Sequence, residues 1–575
     1  MGRKFRNLDT TWKEILFSAS GFGPNLLMVL MGAFYSDAVN PAGLNLASGN
    51  AGVQTITGAC LVLPALFSVL LFIGKVFDGV IDIPFANITD NLKTKWGRRR
   101  PPIAICFVPM VLSFAMIWIP LFKNPNEAQA IGNSIWFFVW SIVFFATYTM
   151  NLIAFYGSLS TVCADEKQRL KVSSFKSFFD TISYVLVYAL VPLILDGTGI
   201  HIDTLVFILL PTMATMLIPL FMIKEGEKFE KKAIEEGYDI TPLAEEPKVG
   251  IWESLKLTFT NKSFLKWCAV NCCSFFGLQM FLVSMNALIL GGMGLNGTQM
   301  AILNTCAFAP VPLMLYLFNR LKAKKGIRFA YQTCLLSFAF CILSFDIASQ
   351  YLLGDNTLLK IIIGAIGGII GSWAIGSFFM MPYMIPAQIS SVEEKLTGKN
   401  HSAMFFAAQA VTTSIVGSFA SNIVYENIKM LFISKVAKGI VYAKDIVVDG
   451  VTKAASEVAA EKFGCAVDQV FNLGTLLVPV IVCVFCILGF VLAFRMPKNY
   501  NPKEVSKDLG LEKEYLAHKD LFEEEIEYKF EEESLIVQIA LWVLTGGIFG
   551  FIWQAILRKS VNTFAKKKIS VDFTL

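Results

Sequence analysis

Long apolar runs, separated by short polar loops, organise this chain. Windows of about 20 apolar residues, the length that spans a bilayer as a helix, fall near residues 14–38, 56–85, 102–122, 134–163, 173–195 and 203–223. A second set follows near 263–290, 297–319, 328–348, 359–387, 401–433 and 472–495. Between the sets lies KEGEKFEKKAIEEGYDITPLAEEPKVGIWESLK, a hydrophilic stretch dense in both charges. The pattern predicts an all-α polytopic membrane protein with twelve transmembrane helices in two six-helix halves. The N-terminal half is residues 1–223, the central loop 224–262 and the C-terminal half 263–495. Within the second half, 434–471 suits an amphipathic, mixed-charge insertion on the outer surface. Residues 496–575 form an extension with an acidic linker, FEEEIEYKFEEES, and one more apolar segment, LIVQIALWVLTGGIFGFIWQAIL. That segment is either a thirteenth helix or, broken at its two glycines, a re-entrant hairpin.

Loop charges set the orientation. KTKWGRRR, DEKQRLK, the central loop, RLKAKKGIR and RMPKNYNPK are rich in lysine and arginine, whereas SDAVNPAGLNLASGNAG, LDGTGIHID and LGGMGLNG contain neither. Because basic loops stay cytoplasmic, both ends of the twelve-span core, and the N-terminus, are expected inside. A basic tail after a thirteenth span would be exported against this rule, which tilts the last segment towards a hairpin. The N-terminal stretch MGRKFRNLDTTWKEILF leads straight into a span without a small-residue cleavage site, so it is not read as a cleaved signal peptide.

Composition narrows the chemistry. Only 16% of residues are charged against 55% hydrophobic, and the mean hydropathy is +0.59, so a soluble fold is excluded. The net charge of +5 is spread over short loops rather than one face, which argues against a nucleic-acid partner. The twelve cysteines include Cys272–Cys273 and Cys483/Cys486 in apolar segments without metal-site spacing, so no structural metal is expected. The three histidines sit at helix ends or in the tail, leaving no intramembrane histidine relay. No Walker loop is present, so ATP is not the energy source.

Against this background three charges in the second span stand out: Lys75, Asp78 and Asp82. The two acids are four residues apart and share a helix face. A charge at membrane depth costs at least ~2.5 kcal/mol on insertion scales and normally faces a cavity. Two carboxylates at ~6 Å repel by roughly 3 kcal/mol at an effective dielectric of 20, enough to make the pair hold a proton or a small cation. Lys75, three residues before Asp78, can compensate one acid when the site is empty. The plainer alternative is a static ion-paired cluster that fixes the helix. Asp90 and Arg98, Arg99 and Arg100 lie in the following loop, where they set topology and can latch the cytoplasmic helix ends as a gate.

The stretch FDGVIDIPFANITDNLKTKWGRRRP resembles the hallmark of the glycoside–pentoside–hexuronide:cation symporters, the melibiose-permease branch of the major facilitator superfamily. YTMNLIAFYGSLSTVCADEKQRLKVSSFKSFF and EEKLTGKNHSAMFFAAQA are similar to that family's fourth helix and to its loop between helices ten and eleven. The resemblance covers roughly residues 10–495 and implies the major facilitator fold, two halves related by a parallel repeat. It implies a coupling-cation site at Asp78 and Asp82 with Thr149 as a cation-site hydroxyl, and a basic partner at Lys75. Tyr148 and Tyr156 match aromatics near the sugar, the latter where melibiose permease has a stacking tryptophan. Departures accompany these matches. The family's asparagine before the second acid is Ile81, which removes an oxygen and favours H⁺ over Na⁺. Its sugar-gripping aspartates fall at Asn25 and Leu152, the latter beside Asn151, and its helix-eleven lysine falls near Ser414, a turn beyond Gln409. Melibiose itself is therefore not the expected substrate. Lys176 and Asp180, four apart, can form a neutralised pair facing the cavity or snorkel to the interface. Asn25, Asn151, Asn271, Gln279, Trp373 and Gln409 suit a neutral hydroxyl-rich ligand, though such residues also serve as helix–helix glue.

The expected function is symport of a small hydrophilic solute, most simply a glycoside or oligosaccharide, with H⁺ or Na⁺ by alternating access. No covalent chemistry and no cofactor are involved, and a monomer suffices. The family analogy places it in a bacterial plasma membrane. Two alternatives stand beside this: a cation-coupled lysolipid carrier of the same fold, which loss of the sugar-gripping acids would fit, and a solute sensor signalling through the C-terminal extension.

Overall fold

A computed structural model describes the chain between residues 3 and 518. Outside the description are residues 1–2, 5–7, 43, 45–51, 93, 98, 164–165, 227–228, 230–234, 236–237, 240–257, 398–401, 432, 438–439, 444, 449–450, 455–456, 459–473 and 519–575. The acidic linker and the last apolar segment therefore lie outside the described residues.

Helices dominate. The first six are α1 (Thr11–Val39), α2 (Pro64–Asn91), α3 (Arg100–Ile117), α4 (Glu127–Val162), α5 (166–198) and α6 (Ile202–Met222). The next six are α7 (Lys262–Gly292), α8 (Gly297–Lys325), α9 (Ile327–Ile347), α10 (Thr357–Thr397), α11 (402–429) and α12 (Leu477–Ala493). Ten of these are long and apolar enough to cross a membrane. α11, interrupted by a π-turn, and the 17-residue α12 complete the series that hydropathy marks as twelve. Boundaries differ where polar residues prolong a helix beyond its apolar stretch: α4 starts at Glu127, α5 at Glu166, and α10 runs to Thr397. α2 starts later than its apolar window, at Pro64, because a proline at the first turn lacks the N–H that the preceding turn would need. Residues 52–63 form a 3₁₀ turn and an irregular connection instead.

Each half packs on its own aromatic core. In the first, α4 lies along α2 and α3 while α1 lies against α5 and α6. Phe67, Trp118 and Phe137 pack edge-on around Tyr35. In the second, α9 and α10 pair, α12 covers α7 and α9, and Trp267, Tyr331, Phe378, Phe338 and Phe281 form a continuous chain of rings. Ile105, Val108 and Leu112 instead form an exposed stripe on α3, Ile105 being 71% exposed. Their helical spacing marks a face turned to lipid. Across the halves, α1 meets α7, α2 meets α11 and α5 meets α8.

Small residues set the closest contacts. α10 carries Gly364, Gly367, Gly368 and Gly371, and a Cβ built on Gly367 would lie 1.7 Å from Ser344 Oγ of α9. Such small-residue faces replace the hydrophobic drive that lipid removes. Outside the membrane helices, β1 (Arg3–Lys4) pairs in parallel with β2 (Tyr238–Asp239), tying the N-terminus to the central loop. The amphipathic stretch after α11 contains two antiparallel hairpins, β3 (Ile433–Ala437) with β4 (Ile440–Ala443) and β5 (Asp445–Val448) with β6 (Val451–Ala454). Beyond α12, α13 (Pro502–Leu509) docks on α7, where Asp508 binds Lys266 Nζ through both oxygens at 2.8 Å and Ser263 Oγ at 2.8 Å.

Overpacking the α9–α10 contact should destabilise the fold. Gly367→Val is expected to lower stability by about 2 kcal/mol, read as a depressed melting temperature of the purified protein. Gly32→Ala, whose added Cβ meets nothing within 4 Å, should melt like the parent.

Candidate functional site

The charged face of α2 is organised by its neighbour α4. Lys75 Nζ lies 3.4 Å from Asp78 Oδ2 and sits over the ring of Phe145 at 4.1 Å from its centroid. Thr149 Oγ1 donates to Asp78 Oδ1 at 2.9 Å. Asp78 thus has its charge answered by a lysine on its own helix and one oxygen satisfied by a hydroxyl of the next. Asp82, one turn nearer the basic loops, is partly buried and has no hydrogen-bond or ion-pair partner among the described residues. Between them Gly79 brings the halves together: a Cβ there would stand 2.9 Å from Ser414 Cβ on α11.

Beside this face a cavity of about 280 Å³ lies between the halves. One wall is α11, which turns Ser414, Ser418 and Ser421 inwards at helical spacing, with Thr413 and Asn422 beside them. Facing them are Asn25 of α1, Gln279 of α7, and Tyr184 and Tyr188 of α5. The two tyrosine rings are nearly parallel, 5° apart with centroids at 6.5 Å, and Tyr188 Oη donates to Leu282 O at 3.2 Å. Asn25 connects the cavity to a second charged group. Its Nδ2 donates to Asp180 Oδ1 at 3.1 Å, Asp180 pairs with Lys176 at 2.5 Å, and Lys176 Nζ lies over the Tyr156 ring at 4.6 Å. Lys176 and Asp180 are each about a quarter exposed. Asn25, Lys176, Asp180 and Tyr156 therefore form one chain of contacts leading from the cavity.

The other residues singled out by sequence face neighbouring helices. Tyr148 is buried with its ring 5.5 Å from Phe144. Asn151 Nδ2 donates to Thr147 O at 2.9 Å and contacts Met110 Sδ at 3.5 Å. Trp373 Nε1 donates to Thr333 Oγ1 at 3.2 Å. Gln409 accepts from Trp267 Nε1 and donates to Pro382 O, both at 2.6 Å. These four do not line the cavity; Gln409 and Trp373 tie neighbouring helices together, while Asn151 donates back to its own helix and reaches only Met110 Sδ on the next. Gln279 and Asn25 do line it, and the hydroxyl face of α11 joins them. Sequence reading passed over that face because serine and threonine occur throughout the spans. The repeat of serine at 414, 418 and 421 around Gly417 was its visible sign.

Arg99, expected at a gate between helix ends, makes the following contacts within the first half. It is buried, donates from Nη1 to Thr89 Oγ1 at 3.2 Å, and packs so closely on Gly157 of α4 that a Cβ there would meet Nη1 at 2.4 Å. The backbone amides of Arg99 and Arg100 donate to Glu225 Oε1 at 2.7 and 2.9 Å. This knot joins α2, α3, α4 and the exit of α6. Arg98 and the side chain of Asp90 lie outside the described residues.

Residues 25–499 match the sequence profile of a family described as MFS/sugar transport protein. An uncharacterized symporter of Synechocystis sp. is 21% identical over 427 residues, which cover 61% of this chain and 76% of that protein. A lactose permease of Leuconostoc lactis is 28% identical over 122 residues, 21% of this chain and 19% of that protein. Among solved structures, a bacterial homologue of the human lysosomal transporter Spinster is 13% identical with a TM-score of 0.54, covering 87% of this chain and 99% of its own. A D-xylose–proton symporter is 12% identical with a TM-score of 0.51, covering 85% and 98%. The nucleoside transporter NupG is 14% identical with the same score, covering 85% and 100%. These likenesses establish a shared fold.

The hydrogen bond from Thr149 to a charged acceptor should be worth about 2 kcal/mol. Thr149→Val is expected to lower the melting temperature accordingly, while Thr149→Ser, which keeps the donor, stays close to the parent.

Proposed function

The chain belongs to the MFS/sugar transport family, and on that premise we propose that it is a cation-coupled symporter of a small, neutral, hydroxyl-rich solute. It is a multi-pass membrane protein, and its family and structural neighbours are transporters rather than enzymes. The observation that carries the finer reading is Asp78, braced by Lys75 and Thr149, with Asp82 one turn away and unpartnered among the described residues, and a hydroxyl- and amide-lined cavity beside them. In the empty site Lys75 supplies the positive charge that Asp78 requires. A cation arriving between the two acids takes over that role and frees Lys75, which itself lines the cavity. That exchange links cation and solute, because each then alters the free energy of binding the other. Among the described side chains Asp78, Asp82 and Thr149 offer oxygens here, with Ser414 Oγ facing Gly79 between the two acids, and Ile81 offers none. Na⁺ prefers a fuller oxygen shell, so a proton is the favoured coupling ion.

The solute reading follows from the walls. Lys176 and Asp180 neutralise each other, leaving Asn25, Gln279, the α11 hydroxyls and the tyrosine rings to meet a ligand. Those groups suit sugar hydroxyls and the apolar face of a sugar ring. About 280 Å³ suits a small saccharide better than a chain lipid. One observation favours lysolipid transport as a second reading. An apolar groove of about 490 Å³ runs between α5 and α8, lined by Leu186, Leu190, Leu193 and Ile302. Helix α5 separates this groove from the cavity.

Proteoliposome uptake of a panel of glycosides, pentosides, uronides and lysolipids distinguishes these readings. A saccharide should accumulate when a pH or Na⁺ gradient is imposed, and Asp82→Asn should abolish accumulation while leaving solute exchange at equal concentrations. Accumulation of lysolipids alone would favour the second reading. Transport indifferent to both gradients would remove the coupling role from Asp78 and Asp82.

A further inference from the structure

At the end of the bundle opposite the basic loops, α1 and α11 bury three charges together. Asp37 is 1% exposed, Glu426 2%, and Lys429 not at all. Lys429 Nζ lies 3.3 Å from Asp37 Oδ1 and 3.1 Å from Glu426 Oε1. It also donates to Ser36 Oγ at 2.7 Å and to Asn40 O at 3.1 Å. Four acceptors thus surround an ammonium with three hydrogens. Glu426 is fully engaged, since Oε1 also accepts from Ser36 Oγ and Oε2 accepts from Asn40 Nδ2 at 3.1 Å. Asp37 is not. Its Oδ1 accepts from Tyr425 Oη at 3.3 Å, but its Oδ2 is buried without a partner among the described residues.

The cluster contains two acids and one base, and its surroundings supply no second cation among the described residues. Residues 38–74, which carry the chain from α1 into α2, have no charged side chain, and neither do residues 267–319 or α12. α6 brings only Asp203, and at the α5–α6 turn His201 Nδ1 faces Thr55 O at 3.2 Å. Lys360 of α10 is committed to Met293 O at 2.8 Å, Asp196 of α5 accepts from Thr298, and Lys453 of β6 is exposed. A net negative charge sealed from water with an unsatisfied oxygen is strongly unfavourable.

We propose that this cluster is a proton-binding latch, separate from the Asp78/Asp82 site. In the closed state Asp37 carries a proton on Oδ2, and Glu426 with Lys429 forms a neutral ion pair. The latch joins the two halves, so opening this end of the cavity pulls Asp37 away from Glu426 and Lys429 and admits water. Asp37 then returns its proton to that water. Closure takes up one proton from the solution on that face, and acid therefore favours the closed state.

The test uses the full-length protein in nanodiscs, with its native cysteines replaced by alanine and spin labels on Lys123→Cys and Asp355→Cys. Both positions are exposed at this end, one in each half. Between pH 9 and pH 5 the label distances should pass from a mixture of long and short to short alone. Asp37→Asn should give the short distance at every pH. The double variant Asp78→Asn/Asp82→Asn should keep the parental titration, which separates this latch from the coupling site. Tyr425→Phe, for use if Asp37→Asn does not fold, removes a donor to the ionised acid and should move the midpoint up by about half a pH unit. Distances that do not change with pH would overturn the proposal. So would a parental titration in Asp37→Asn, an unmoved midpoint in Tyr425→Phe, or loss of the titration in the double variant.

Discussion

A charge carried into hydrocarbon must be answered locally, and the arrangement of this bundle follows from how its carboxylates meet that demand. Asp78 is answered by Lys75 three residues earlier on α2, and Asp180 by Lys176 four residues earlier on α5. Each pair belongs to one helix and travels with it, so a rocking motion of the halves leaves both intact. Asp37 is different, because its lysine stands on the other half, 392 residues away. Two pairs are portable and one is a bond between the moving parts. A cycle that exposes the cavity to each side in turn can keep the first two throughout but must break the third.

The ties within each half complement this division. Arg99 and Glu225 knot the ends of α2, α3, α4 and α6. On the other side Asp508 of α13 clamps α7, and Arg328 N donates to Lys498 O where the chain leaves α12. The basic loops therefore carry contacts that consolidate each half from within. Where the halves touch beside Asp78 and Asp82, the contact is close: Gly79 against Ser414, with room for nothing larger than hydrogen on the α2 side.

Much of this was legible in the sequence, and the rest was hidden for identifiable reasons. Apolar length and loop charge mark the spans, since hydropathy is the property a bilayer selects. Asp78 and Asp82 announce themselves because ionisable residues are so costly there, and Lys75 and Thr149 stand in contact with Asp78. The amide-bearing residues were harder. Asn25 faces the cavity while Gln409 bridges neighbouring helices and Asn151 donates back to its own, and nothing in a single sequence separates an amide that binds from one that braces. The serine face of α11 was masked by the ordinariness of serine in membrane helices. The Asp37–Lys429 link could not be read at all, because pairing across 392 residues depends on how the two halves meet. The hairpins after α11 alternate polar and apolar residues too briefly to declare themselves.

Three helices share one further irregularity. α5 contains a π-turn at Leu186–Leu190, α7 at Ala287–Gly292 and α11 at Phe419–Tyr425. All three border the cavity and reach across to the other half. A π-turn holds one residue more than the α-helical repeat, and moving it along the axis by one position rotates the intervening stretch by about 100°. The ladder of backbone hydrogen bonds is disturbed at only one or two groups as it moves. These helices thus carry spare phase: the stretch between two positions of the turn can swivel while the segments on either side of it stay in register. Tyr188, inside the first of these turns, lines the cavity with its ring and reaches across the seam with its hydroxyl, which donates to Leu282 O of α7.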